Sequence, residues 1–167
     1  KYRESYTTLH SGIMYEPIGI EVGQQPLGIL GFGASGQALA IRAKAFGMRI
    51  LATDVRPIEP EVLDSIQPDF IGSPDDMDRI VAESDYLSLH LHLNAETRHL
   101  VNTRLLGLMK PTASLINVAR GALVDEGALF QALTNGDIGG AGIDVFSQEP
   151  PDTDHPVFQL PNVGFTP

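Results

Sequence analysis

The chain has 167 residues, 43% hydrophobic and 19% charged, with no cysteine and a formal net charge of -10. That length suits one domain with a filled core, and the acidic balance argues against a nucleic-acid partner, which needs a surplus of Lys and Arg to displace counterions. Without cysteine there are no disulfides, thiolate nucleophiles or Cys-based zinc sites, and no apolar run reaches the roughly 18 residues of a membrane span.

Lys1-Tyr2-Arg3-Glu4 is not a signal peptide, so no membrane is expected and the cytoplasm is the default location. Residues 1–25 read as a helix around 6–15 followed by a loop, packing against something outside this sequence. The sequence begins without Met and stops at Thr166-Pro167, just after a strand-like segment, which is expected of a piece of a longer chain.

From residue 26 onward, strand-like and helix-like segments alternate. Residues 26–31 form a short apolar run ending in glycines, the pattern of a strand buried on both faces. A helix follows, with Ala38, Leu39, Ile41, Ala45 and Phe46 as its apolar stripe and Gly47 as its stop. Residues 48–53 are the second strand, with Asp54 at its end. Ser73-Pro74-Asp75-Asp76 marks a helix start, and Met77, Ile80 and Val81 form that helix's buried side. Strands are then expected at 86–90, 113–118, 138–145 and 162–165. A short helix carrying Leu105 and Met109 closes at Lys110-Pro111, and a second, capped by Asp125 and ended by Gly136, carries Leu129, Phe130 and Leu133.

Strands separated by helices of this length imply right-handed crossovers. The expected fold is α/β, a doubly wound, mostly parallel sheet with helices on both faces and ligands at the carboxyl ends of its strands. Gly31-Phe32-Gly33-Ala34-Ser35-Gly36 sits in that position and matches G-x-G-x-x-G. Gly31 permits the tight turn, Gly33 lets a pyrophosphate approach the backbone, and Gly36 lets helix and sheet pack closely. The helix N-terminus then meets negative charge.

Glycines cluster in many tight turns, so Asp54 is the decisive addition. It stands 18 residues after Gly36, close to the roughly 20 expected of an acid that accepts hydrogen bonds from ribose hydroxyls. Such a carboxylate repels a 2′-phosphate, which favours NAD over NADP; Arg56 nearby softens that preference. The expectation is a Rossmann fold that binds NAD.

Arg120 lies in a Gly-containing turn between a strand and a helix, where ligand-facing groups belong. A guanidinium there can grip a carboxylate with two parallel hydrogen bonds. A surface arginine paired with Asp125 or Glu126 is the other reading, and composition does not choose between them.

The stretches 29–36, 42–48, 90–101, 108–126 and 140–150 together resemble the D-isomer-specific 2-hydroxyacid dehydrogenases. The resemblance covers nearly the whole chain after about residue 20. It implies hydride transfer between NAD and a 2-hydroxy or 2-oxo acid substrate. By motif, Arg120 matches the arginine that binds the 2-oxo acid, and Glu149 the glutamate that orients a catalytic histidine. Asp144 resembles the residue that holds the nicotinamide carboxamide. The cofactor set implied is Gly31, Phe32, Gly33, Ala34, Ser35, Gly36, Asp54, His90, Val118, Ala119, Arg120 and Asp144.

In the family the histidine follows a Thr-Pro, which places it directly after Pro167. His155 resembles a non-catalytic His-Pro turn instead, and no metal site is expected. His92 departs from the usual proline, and Gly23-Gln24-Gln25-Pro26 from the usual Gly-Lys pair. The resemblance further implies that 1–25 is an interdomain helix and loop, that 26–167 is the dinucleotide domain, that the substrate domain lies outside this sequence, and that the protein is a homodimer. The piece alone is then expected to bind NAD without turnover. Two other readings stand beside this one: a dinucleotide-sensing protein like the family's corepressors, and an oligomerisation module built on Leu9, Ile13 and Met14.

Overall fold

The computed structural model describes residues 2–16 and 18–166. Seven strands, β1 (Pro26–Leu30), β2 (Arg49–Thr53), β3 (Phe70–Gly72), β4 (Tyr86–Leu89), β5 (Ser114–Asn117), β6 (Gly140–Ile143) and β7 (Val163–Phe165), form one sheet in the order β3-β2-β1-β4-β5-β6-β7. Every pairing is parallel. The helices are α1 (Tyr2–His10), α2 (Ala34–Ala45), α3 (Pro60–Ile66), α4 (Met77–Glu83), α5 (Thr103–Leu106) and α6 (Glu126–Asn135). From β1 the chain winds outward to β2 and β3, then crosses back to β4 on the other side. The carboxyl end of β1 therefore borders the crevice where doubly wound sheets bind ligands.

Parallel strands are covered on both faces, and alternate side chains divide between two cores. Leu27, Ile29, Ile50 and Ala52 pack with Ala40 and Ala43 of α2 and Ile66 of α3. Leu30, Leu51, Leu87, Leu89 and Leu115 pack on the opposite face with Ile80, Val81, Leu105, Leu129 and Leu133. Helix ends follow local chemistry. Asp125 accepts the Ala128 N–H at 3.0 Å to start α6, and Gly136, at φ +76°, ends it.

Three expectations change. The buried side of α2 is Gly36, Ala40 and Ala43, whereas Ile41 and Phe46 are 54% and 68% exposed. Small residues let this helix lie close on the sheet: a Cβ on Gly36 would stand 2.3 Å from the Gly31 carbonyl oxygen. The first helix spans Tyr2–His10 rather than 6–15, because Gly12 and Tyr15 take left-handed backbone that no helix continues. Helix α3 and edge strand β3 carry no periodic signal long enough to be seen beforehand. The Ser73 helix start also divides into a one-turn 3₁₀ segment, closed by a Ser73–Asp76 capping box, and then α4.

Candidate dinucleotide site and catalytic residues

β1 ends where the chain must turn under its neighbours. Gly31 has φ +96°, donates its N–H to the Thr53 carbonyl at 2.9 Å, and leaves no room for a side chain, since a Cβ would lie 2.6 Å from the His90 carbonyl oxygen. Phe32 is fully buried and anchors the turn in the α2 core. Gly33 then starts α2 without any side-chain cap, and no acid sits in the first turn. The free amides of that turn and the positive end of the helix dipole suit an anion.

Gly33 is the open member of the three glycines. A Cβ placed there would approach only the Arg56 Nη2, at 3.8 Å. Beside it runs a groove of about 510 Å³ lined by Phe32, Gly33, Ala34, Gln37, Arg56 and Ile58, among others.

Asp54 closes the same corner from β2, its side chain 8% exposed. Its Oδ2 accepts the Phe32 N–H at 2.8 Å, and its Oδ1 accepts the Arg56 N–H at 3.0 Å, with the Arg56 Nε at 3.5 Å. A carboxylate oxygen has more than one acceptor direction, so these contacts leave capacity for ribose hydroxyls. The unhindered Gly33, the uncapped helix start and the inward carboxylate together fit a dinucleotide.

His90 follows β4, half-buried, and its ring lies between two hydroxyls, Ser35 Oγ at 2.8 Å from Nδ1 and Ser88 Oγ at 3.0 Å from Nε2. Burial pushes its pKa below the ordinary histidine value. Ser88 was missed by sequence reasoning; its signal was the two-residue spacing that puts it on the same strand face as His90.

The β5 and β6 ends carry the remaining candidates. Asn117, 3% exposed, accepts the Ala119 N–H at 3.1 Å and donates to the Arg120 carbonyl at 3.0 Å. This side chain, also missed beforehand, shapes the turn bearing Val118, Ala119 and Arg120. Arg120 is exposed, and its Nη1 donates to the Ala119 carbonyl at 2.7 Å. The alternative pairing of Arg120 is not made: Asp125 caps α6, and Glu126 Oε1 accepts the Ser147 N–H at 2.9 Å. Asp144 donates its N–H to the Asn117 carbonyl at 3.0 Å and accepts the Thr166 hydroxyl. Glu149 accepts the Phe146 N–H at 3.1 Å. Arg120 thus follows the carboxyl end of β5, and Asp144 and Glu149 that of the adjacent β6, with no hydrogen bond or ion pair directly joining Arg120 to Glu149 among the described residues.

His155 caps a 3₁₀ turn, its Nδ1 accepting the Val157 N–H at 3.2 Å, and packs edge-on against Phe130. No group of three or more His, Asp or Glu among the described residues forms a metal site. No described helix is long and apolar enough to cross a membrane.

Fold and turn together define a dinucleotide-binding domain of the doubly wound class. The family model described as D-isomer specific 2-hydroxyacid dehydrogenase, NAD binding domain, matches residues 1–167, and the chain belongs to that family. It is 45% identical to a glyoxylate reductase of Thermococcus litoralis over 90% of this chain and 44% of that protein. It is 42% identical to a D-3-phosphoglycerate dehydrogenase of Methanocaldococcus jannaschii over 89% of this chain and 28% of that one. A solved D-isomer specific 2-hydroxyacid dehydrogenase from Lactobacillus delbrueckii ssp. bulgaricus, in an NAD complexed form, superposes with a TM-score of 0.83 at 32% identity, covering 98% of this chain and 53% of that one. The chain spans about half, or less, of the proteins it matches. It is the NAD-binding domain of this family.

Proposed function

We propose that the protein carrying this chain is an NAD-dependent oxidoreductase acting on a 2-hydroxy or 2-oxo acid. NAD, when bound, supplies the hydride chemistry. The residues that would hold it are Gly31, Phe32, Gly33, Ala34, Ser35, Gly36, Asp54, His90, Val118, Ala119, Arg120 and Asp144. The observation carrying the reading is Asn117, whose buried amide holds the Arg120 turn at the carboxyl end of β5 while its carbonyl takes the Asp144 N–H from β6.

In this reading Arg120 holds the substrate carboxylate and places positive charge beside the carbonyl that gains negative charge on reduction. Glu149 orients a histidine, expected directly after Pro167, that delivers or removes the proton; a carboxylate behind the ring raises its pKa and fixes its tautomer. Residues 26–167 form the dinucleotide domain and 1–25 an interdomain helix and loop. In support, every buried hydrophobic residue among those described lies at or after Leu27. The exposed Leu9, Ile13 and Met14 of the leading segment suit a homodimer contact, which light scattering on the full-length protein would test.

The test is NADH oxidation by the full-length protein across a panel of 2-oxo acids that includes glyoxylate and hydroxypyruvate. Turnover of at least one is expected, with Arg120→Ala lowering kcat/KM about 100-fold or more. No turnover on any member, with NADH bound, would overturn the enzymatic reading in favour of a dinucleotide sensor, for which the relatives above give no support.

A further inference from the structure

The phosphate-facing turn is braced by a hydrogen-bonded chain that none of the motifs contains. Ser35 is the second residue of α2 and exposed in its first turn, and its hydroxyl is 2.8 Å from His90 Nδ1. On the other side of the ring, Nε2 is 3.0 Å from the hydroxyl of Ser88, which is 2% exposed. The chain links α2 to β4 across 55 residues of sequence. The backbone of His90 is fixed as well: its N–H donates to the Leu30 carbonyl at 2.8 Å, and its own carbonyl lies against Gly31.

Burial keeps this imidazole in the neutral form near pH 7. A neutral ring has one N–H and one lone pair, whereas each serine hydroxyl can donate or accept. The chain therefore runs in one of two directions. In the first, Nε2–H donates to Ser88 and the Ser35 proton is used on Nδ1. In the second, Ser88 donates to Nε2, Nδ1–H donates to Ser35 Oγ, and the Ser35 proton is left to point out of the turn. Only the second direction places a hydroxyl donor beside the uncapped amides of α2.

We infer that His90 is a positioning residue for the cofactor: its Nδ1–H tautomer holds the Ser35 hydroxyl as a donor toward the pyrophosphate, and dinucleotide binding selects that tautomer. The inference rests on the dinucleotide site described above. It assigns to Ser35 a side-chain role, where the glycine motif uses only the backbone.

The test uses the full-length protein and measures NADH affinity for the wild type, Ser35→Ala, His90→Phe and the double variant. A hydrogen bond to a charged group is worth about tenfold or more in affinity. Each single variant is expected to weaken NADH about tenfold, and the double variant no more than either one. His90→Asn, whose amide nitrogen stands near the place of Nδ1, is expected to restore most of the affinity. Adenosine, which lacks the pyrophosphate, should bind all variants alike. In ¹⁵N spectra of the wild type, NADH should move the His90 ring to the Nδ1–H tautomer. Additive losses, equal losses for adenosine, or a ring that stays Nε2–H with NADH bound would overturn the inference. Ser35→Ala changes an exposed position and the spectra need no variant, so the test survives a misfolded His90→Phe. A wild type that binds no NADH at all would remove the dinucleotide site itself, whereas binding with additive losses removes only the role of His90.

Discussion

Asp54 Oδ2 accepts the backbone N–H of Phe32 at 2.8 Å, so the carboxylate ending β2 also fastens the turn after β1. One side chain thus serves the fold and holds Phe32 and Arg56, two residues that line the groove beside Gly33. Asp54→Ala leaves the N–H of a fully buried residue without its charged partner, a loss of about 1.5–3 kcal/mol. Asp54→Asn keeps an acceptor for Phe32 and removes the charge. Thermal unfolding should therefore show a large loss for Ala and a small one for Asn, while titration calorimetry should show weaker NADH binding for both.

Gly33 and Gly36 separate function from folding more sharply. At Gly36 an added Cβ would lie 2.3 Å from the Gly31 carbonyl oxygen, so the backbone of the turn must shift. Gly36→Ala is expected to cost about 1–3 kcal/mol, as overpacking does. At Gly33 the same methyl meets only the Arg56 Nη2 at 3.8 Å, and φ is -76°, which any residue adopts. Gly33→Ala should leave stability within about 0.5 kcal/mol. It nevertheless puts a methyl group where the pyrophosphate must approach the backbone, and NADH affinity should fall at least about tenfold. Unfolding curves and NADH titrations on the two variants check both halves.

The residues most legible from sequence are those whose type answers a backbone demand at fixed spacing. Gly31, Gly33 and Gly36 are such residues, and Asp54 follows them because strand β2 must end beside strand β1. The apolar stripe expected of α2 holds at Leu39, which packs against the core, but not at Ile41 and Phe46, because close packing selects Gly36, Ala40 and Ala43, which carry little hydrophobic signal. Edge strand β3 has three residues and lies among prolines, too short for any period to register. The Ser35–His90–Ser88 chain was invisible for a different reason, since it joins groups 55 residues apart that only the parallel pairing of β1 with β4 brings together.

Arg56 bears on the choice between cofactors. Its side chain is 75% exposed, lines the groove and is the group nearest to where a side chain on Gly33 would stand, while Asp54 holds its backbone N–H. A guanidinium in that position can meet a 2′-phosphate, whereas the Asp54 carboxylate opposes one. The expected preference is for NADH, moderated by Arg56. Arg56→Ala should weaken NADPH binding about fivefold or more and change NADH binding much less. Parallel titrations with both cofactors test this, and equal effects on the two would remove Arg56 from the selectivity.

His90 also sets a pH dependence whose sign follows from burial. Desolvation lowers its pKa in the folded state below the value of 6.5 that it holds when exposed. Between those two values the unfolded chain binds the proton more readily than the folded one, so stability rises with pH there. The contribution is complete above about pH 6.5 and declines as the pH falls through the window toward the folded-state pKa. Protonation also gives both ring nitrogens a hydrogen, so Ser35 and Ser88 must both accept and neither can donate to the ring. His90→Asn removes the titrating group while keeping an amide in its place. Denaturant unfolding measured from pH 7.5 to 5 should show a steeper fall for the wild type than for His90→Asn. Identical slopes would mean that the ring titrates alike in the folded and unfolded chain.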